Sequence, residues 1–338
     1  MTRLAICIPT YKRSAMLAEL LDSIVEQDRP DLQVIVSDDA SPDDTAMIAS
    51  GYGDKLRDYR FIRQPENIGM DRNFMASIEA ADADYVWLMG DDDKIEPGGI
   101  DRVIDALEKW PDVGGLTLGV IDYDPSMMRQ IDIRAMPETQ RFHDVATVFA
   151  TMAEVLGFMS ALVVRRDAWL AVANDPAVRA FENYYVQVYI LGRVIEQVGS
   201  WGVVKEPCVS FRSGNDQLFD KLGWRKRLEI DVIAYEQIAR ALLAGNSKAM
   251  KAMRGRIFDT HVARRVRTAK DYPGGDRGTV RAALFLAQNY WDMPSFWVKV
   301  LPRTLTPSWV IAGGRSAYHG ARAAFGRPRA SARENVSG

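Results

Sequence analysis

Three consecutive carboxylates, Asp91-Asp92-Asp93, follow the apolar run 85–89, YVWLM, with only Gly90 between. Adjacent carboxylates repel one another unless a cation or several backbone donors neutralise them, and a hard ion such as Mg²⁺ is held by one or two carboxylates plus substrate phosphates. A metal-diphosphate site is one reading of the triad. The other is a solvated acidic turn capping a helix that begins near Pro97, since acids favour helix N-termini. Two further polar segments favour the site: Pro9-Thr10-Tyr11-Lys12-Arg13 follows the apolar run 4–8, and Asp38-Asp39-Ala40-Ser41-Pro42-Asp43-Asp44 follows 34–36. The chain has no glycine-rich dinucleotide fingerprint after a strand and no P-loop, so something else must neutralise a bound phosphate.

The elements that position these loops are legible from periodicity. Residues 4–8, 34–36, 61–62 and 85–89 read as buried strands, the third weakly. Met16, Leu17, Leu20, Leu21, Ile24 and Val25 share one face of a helix, and Phe74, Met75, Ile78 and Glu79 mark a second starting near Asp71. Strands alternating with helices predict an α/β fold built on a mostly parallel sheet, with ligands bound beyond the carboxyl ends of the strands. Further on, residues 160–164 read as a strand and 184–197 as a helix. Residues 201–204 and 208–211 read as two strands bounding a Glu206-Pro207 turn. From Leu222 the pattern is helical, with one apolar face at Leu228, Val232, Tyr235, Ile238 and Leu242 and another at Met250, Met253, Ile257, Val262 and Val266, until Pro273-Gly274-Gly275 interrupts it.

The formal charge of -2 over 338 residues hides an asymmetry. Residues 1–220 hold 21 Lys and Arg against 37 Asp and Glu; residues 221–338 hold 22 against 8. An acidic half suits metal-carboxylate chemistry, and a basic half suits a phosphate-rich or anionic partner. The two cysteines, Cys7 and Cys208, lie in apolar runs without a CxxC, which predicts core residues rather than a disulfide or zinc site. The three histidines, His143, His261 and His319, are not spaced as ligands. No apolar run is long enough to span a bilayer and the opening residues lack a signal-peptide pattern, so a cytoplasmic protein is expected.

The segments CIPTYKR, VIVSDDASPDDT and ENIGMDRNFMASIEAADADYVWLMGDDD, in that order, resemble the nucleotide-binding half of the family two glycosyltransferases with a GT-A fold. The likeness spans residues 1–125. NIGMDRNF, GFMSALVVRRDAW and FRSGND look most like the abequosyltransferase branch of bacterial O-antigen assembly, to about residue 220. The resemblance implies a nucleotide-binding half at 1–125 and an acceptor-binding half at 126–220; the helical pattern and charge mark a basic region at 221–325, and the Arg/Ala/Gly/Ser-rich tail at 326–338 is expected to be disordered.

It further implies a nucleotide-diphosphate sugar donor. Pro9, Thr10 and Tyr11 would line the nucleoside, with Asp38 and Asp39 at the base and ribose. Arg13, Asn67, Asp91 and Asp92 would complete the donor site, and Arg72 and Asn73 would face the donor phosphate or sugar. Asp92 and Asp93 match the metal-binding end of the family's DXD motif, where Gly90 replaces the usual first acid; the implied cofactor is Mg²⁺ or Mn²⁺. Where the family places its catalytic Asp this chain has Asn183, so the neighbouring Glu182 is the candidate base. Arg212 stands before a loop that Gly214 and Asn215 would let bend, and Asp43 is expected to be a turn or cap residue. The implied acceptor is a lipid-linked glycan, which would make the protein peripheral on the inner membrane face. Residues 295–338 supply Lys299, Arg303, Arg315, Arg322, Arg327, Arg329 and Arg333 among Phe296, Trp297, Trp309, Tyr318 and Phe325 for an anionic surface. A catalytically silent scaffold is the alternative. Nucleic acid is not an expected partner, because no recognised module accompanies the arginines.

Overall fold

The computed structural model describes residues 3–271 and 274–314. The chain runs β1 (Leu4–Thr10), α1 (Ser14–Val25), β2 (Gln33–Asp38), α2 (Thr45–Ser50), β3 (Asp58–Arg63), α3 (Met70–Glu79), β4 (Tyr85–Leu88), β5 (Lys94–Ile95), α4 (Gly99–Lys109) and β6 (Gly115–Tyr123). It continues through β7 (Gln130–Ile133), β8 (Gln140–Phe142), α5 (Val145–Leu156), β9 (Leu162–Arg165), α6 (Arg166–Ala173), α7 (Val186–Val198) and β10 (Trp201–Arg212). The helices α8 (Gln217–Leu243), α9 (Ser247–Ile257), α10 (Ala263–Ala269), α11 (Thr279–Tyr290) and α12 (Leu301–Leu305) follow.

The strands form one sheet in the order β3-β2-β1-β4-β9-β6-β10-β5, with β7 beside β6 and β8 beside β10. From β3 to β4 every pairing is parallel, as the alternation of strands and helices requires. β9 runs antiparallel to both its neighbours, and β6 and β10 pair in parallel. Residues on each strand sort by parity. Ala5, Cys7, Ile35, Val86 and Leu88 enter the core shared with α3, α5, α6 and α7, whereas Leu4, Ile6, Ile8, Val34, Val36 and Trp87 enter the core under α1 and α4. Both faces are covered, which is why these strands read as continuous apolar runs rather than alternating ones. Both cysteines are free and buried in these cores.

Two sequence readings need correction. Residues 201–212 are one strand, not two around a turn: Pro207, which has no N–H to donate, sits in a bulge where the register against β6 shifts. Gly119 makes room for it, since a Cβ there would lie 2.3 Å from the Lys205 carbonyl oxygen. The division at residue 220 is not a structural boundary either. Ala234, Tyr235, Ile238 and Leu242 of α8 and Met253 and Ile257 of α9 pack in the same core as α5 and α7, while Leu228 and Val232 face a smaller core made with Phe258, Leu286 and Phe296. Helix α8 therefore belongs to both. The tail at 326–338 lies outside the described residues.

Candidate active site

The acidic triad sits between β4 and β5, at the carboxyl end of the parallel strands. Asp93 is turned inward and only 2% exposed. Its Oδ2 accepts the Ser160 hydroxyl at 2.5 Å and its Oδ1 the Arg212 backbone N–H at 3.0 Å. The Gly90 N–H donates in turn to Ser160 Oγ at 3.0 Å. Gly90 is closely packed: a Cβ there would lie 3.1–3.3 Å from Ser160 Oγ and from oxygens of Asp92 and Asp93, so those side chains would have to shift slightly. Asp91 and Asp92 face Arg13, whose Nη1 is 3.0 Å from Asp91 Oδ1 and 2.6 Å from Asp92 Oδ2. Asn215 Nδ2 donates to the same Asp92 oxygen at 2.7 Å.

Burial, with the Asp92 charge adding to it, pushes Asp91 up to about 6 against the pull of Arg13, and pushes Asp93 well above the ordinary carboxylate range. Burial thus disfavours the charged forms of Asp91 and Asp93, and a nearby cation would favour them. Among the described residues no group of three or more acidic, histidine or cysteine side chains is placed to hold a metal ion.

The other two loops converge on this edge. Asp38 is fully buried; its Oδ1 accepts the Ser41 N–H at 3.1 Å, and its Oδ2 takes no hydrogen bond, with Arg63 Nε 3.6 Å away. The Lys12 N–H donates to Ser41 Oγ at 2.9 Å and so ties the β1 and β2 loops together. Pro9 and Thr10 are buried at the end of β1, the Thr10 hydroxyl beside Asp91; Tyr11 is half-buried with the Lys12 ammonium over its ring. Asp43 is a turn residue ahead of α2, its Oδ1 accepting the Thr45 hydroxyl at 2.6 Å and the Thr45 N–H at 3.3 Å.

Several predicted site residues make hydrogen bonds that brace the loops. Asp39 spends both oxygens on the Ile68 and Gly69 N–H groups, at 2.7 and 3.1 Å, and its carbonyl accepts from the exposed Asn67. Asn73 is no helix-end donor to phosphate: it is buried in α3 with its amide group bound to Ser37 Oγ and Ser37 O of β2. Arg72 beside it is exposed. Arg212 is buried, not a surface arginine. It donates to the Asp92 carbonyl, the Pro125 carbonyl and Glu19, at 2.8, 2.8 and 2.9 Å, and so fixes the acidic loop from behind.

The acceptor-side candidates lie just before α7. Glu182 is exposed. Asn183, however, is committed to structure: its Nδ2 donates to Gln237 of α8 at 3.2 Å and its Oδ1 accepts the Tyr185 N–H at 3.3 Å. Tyr184 is held at a φ of 72°, unusual for a residue with a Cβ. Asp71, at the start of α3, was legible in the sequence only as a helix boundary. In three dimensions it faces Glu182; burial, assisted by the Glu182 charge and opposed by the Tyr184 N–H, pushes it up to about 6. Ser160 and Asn215 were likewise not legible as site residues, because each becomes one only through a partner more than 60 positions away.

The geometry agrees with what known proteins show. Residues 5–164 match the family model described as Glycosyl transferase family 2. Over 270 residues the chain is 28% identical to the abequosyltransferase RfbV of Salmonella typhimurium, covering 74% of this chain and 78% of that protein. Over 105 residues it is 31% identical to the GalNAc(5)-diNAcBac-PP-undecaprenol beta-1,3-glucosyltransferase of Campylobacter jejuni, covering 31% of this chain and 34% of that protein. The fold is that of S. aureus TarS 1-349, solved in complex with UDP-GlcNAc, with a TM-score of 0.57, 14% identity and 92% of each chain covered. With the acidic loop, the strand order and these likenesses in agreement, this chain is a glycosyltransferase of GT-A fold whose residues 5–164 match the family 2 model.

Proposed function

We propose that this glycosyltransferase moves a sugar from a nucleoside-diphosphate sugar to a lipid-linked glycan in surface-polysaccharide assembly. The observation that carries the reading is the Asp91-Asp92-Asp93 loop, held at the strand ends by Arg13, Ser160 and Arg212 beside a buried Asp38 oxygen with no hydrogen bond. Asp38 Oδ2 would accept an N–H or O–H of the nucleoside. Asp92, the most open of the three carboxylates, would hold Mg²⁺ or Mn²⁺ together with diphosphate oxygens, with Asp93 behind it anchored by Ser160 and Arg212. The ion would supply charge stabilisation for the departing nucleoside diphosphate. Arg13 would stay beside the diphosphate, and Glu182 would take the acceptor hydroxyl proton. The relatives' printed substrates, abequose in one and an undecaprenol-linked glycan in another, support the donor and acceptor classes.

The acceptor class makes an anionic membrane surface the fitting partner. Among the described residues no helix is long and apolar enough to cross a bilayer. Trp291, Trp297 and Trp309 are exposed, as are Val280 and Leu284 on the outer stripe of α11, with Lys299 and Arg281 nearby in sequence. Aromatic and basic side chains of this kind favour the headgroup boundary. Phe296 is a correction to the expected set, being fully buried in the small helical core; Arg315, Tyr318, Arg322, Phe325, Arg327, Arg329 and Arg333 lie outside the described residues.

Thermal shift with UDP, GDP, CDP and dTDP, each with Mn²⁺ and with chelator, tests the donor reading. One diphosphate should raise the melting temperature only when the metal is present. No shift with any of the four, or a shift that ignores chelator, would count against it.

A further inference from the structure

Helix α8 touches both sides of the candidate active site through one buried polar cluster. At its start, Asp216 caps the helix by accepting the Phe219 N–H at 2.9 Å, and its sequence neighbour Asn215 donates to Asp92. Asp216 Oδ2 is 3.2 Å from Arg227 Nε and 2.7 Å from Arg265 Nη1. Both arginines continue to Asp231: Arg265 Nη2 donates at 3.1 Å, and Arg227 Nη1 pairs with the other oxygen. Asp231 is fully buried and also accepts the Tyr185 hydroxyl at 2.6 Å, while Arg227 Nη2 donates to that hydroxyl at 3.0 Å. One turn and a half further along α8, Gln237 holds Asn183 and the Ala180 carbonyl.

A buried charge network of this kind is poor evidence for stability, since desolvation offsets much of its Coulombic gain; its attested use is to fix one geometry against alternatives. What it fixes here is the segment 180–185, which contains Glu182 and a Tyr184 in the left-handed region that only an over-determined loop retains. We infer that Tyr185 and Asp231 are positioning residues: through Arg227, Arg265 and Asp216 they hold the acceptor-side segment 182–185 in register with the Asp92 loop, making α8 part of the catalytic unit. This rests on the reading of 182–185 as the acceptor side.

The test compares the full chain with Tyr185→Phe, which keeps the packed ring and removes one hydroxyl, and with Asp231→Asn. Hydrogen exchange at residues 182–185, binding of the nucleoside diphosphate selected by thermal shift with Mn²⁺, and transfer kinetics are read on each. The expected result is faster exchange at 182–185, diphosphate affinity within about twofold of the parent, and a kcat lower by roughly tenfold to a hundredfold at unchanged donor KM, the scale of a misplaced reacting group. Combining Tyr185→Phe with Asn215→Ala should give a non-additive loss in kcat/KM, whereas independent sites add. Parent-like exchange at 182–185 in a folded Tyr185→Phe chain overturns the inference, as does strict additivity of the pair. Failure of the parent to bind any diphosphate would instead sink the proposed function, and the exchange readout would still decide this point.

Discussion

The part of the candidate site proposed to take the donor and the part proposed to face the acceptor are built in different ways. On the proposed donor side, each candidate residue follows within a few positions of the strand that places it: Thr10 ends β1, Asp38 ends β2 and Asp91 comes three residues after β4. On the acceptor side, the segment 180–185 has no strand beneath it and is held by Gln237, Asp231 and Arg227 from a helix some fifty residues later. Backbone pairing in the sheet sets where β1, β2 and β4 end, and Ser160, Arg212 and Asn215 then tie down the acidic loop beyond β4. The acceptor-side segment depends on specific buried polar contacts, so single substitutions far from the chemistry should disturb it more.

Four substitutions test that contrast. The largest effect is expected from Asp92→Ala, which should cut transfer by about a hundredfold to a thousandfold through loss of charge stabilisation, with the melting temperature held or raised because like-charge repulsion falls. Retained transfer in metal-buffered assays would show that the donor side does not work through this loop. Glu182→Gln should slow turnover by at least about a hundredfold while diphosphate affinity stays level. An unchanged turnover number would move the base elsewhere, with Asp71, which faces Glu182 and the Tyr184 N–H, the next candidate.

Asp71 gives a pH signature peculiar to the acceptor side. Its folded-state pKa is raised to about 6, so the native state holds a proton that the unfolded chain has already released, and stability falls as pH rises from about 4 to above 6. Asp71→Asn removes that penalty. Urea melts should show the variant more stable than the parent by about 2 kcal/mol at pH 7, with the gap closing near pH 4. A gap independent of pH would mean that Asp71 is not buried against Glu182. The smallest effect is expected from Trp309→Ser, which should weaken flotation with anionic liposomes by roughly fivefold, about 1 kcal/mol, without altering donor binding. Equal flotation of both chains would remove this tryptophan from the membrane contact.

Much of the architecture could be read before any coordinates. The apolar runs at 4–8, 34–36 and 85–89 became β1, β2 and β4, and the face Leu228, Val232, Tyr235, Ile238 and Leu242 of α8 is buried throughout. Strands β6, β7 and β8 went unread. β6 is buried yet punctuated by Gly115 and Gly119, and β7 and β8 are short edge strands without a buried apolar run. Arg212 and Asn73 were legible as polar residues near the site, but not as buried struts. A guanidinium or an amide in a sequence carries no sign of whether water or a carbonyl will receive its hydrogens.

The sequence by itself determined the parallel α/β half, the position of the acidic loop at its strand ends and the separation of charge between the two halves. Each follows from local periodicity, from turn chemistry or from composition. Only the tertiary structure decided which carboxylates are buried, that Ser160 and Asn215 reach the acidic loop, and that Asp231 grips Tyr185 across 46 positions. The physical reason is range. Strand and helix propensities act over a few residues, whereas a buried hydrogen bond forms wherever the packed core brings a donor and an acceptor within 3 Å, and the distance along the chain leaves no trace in either residue.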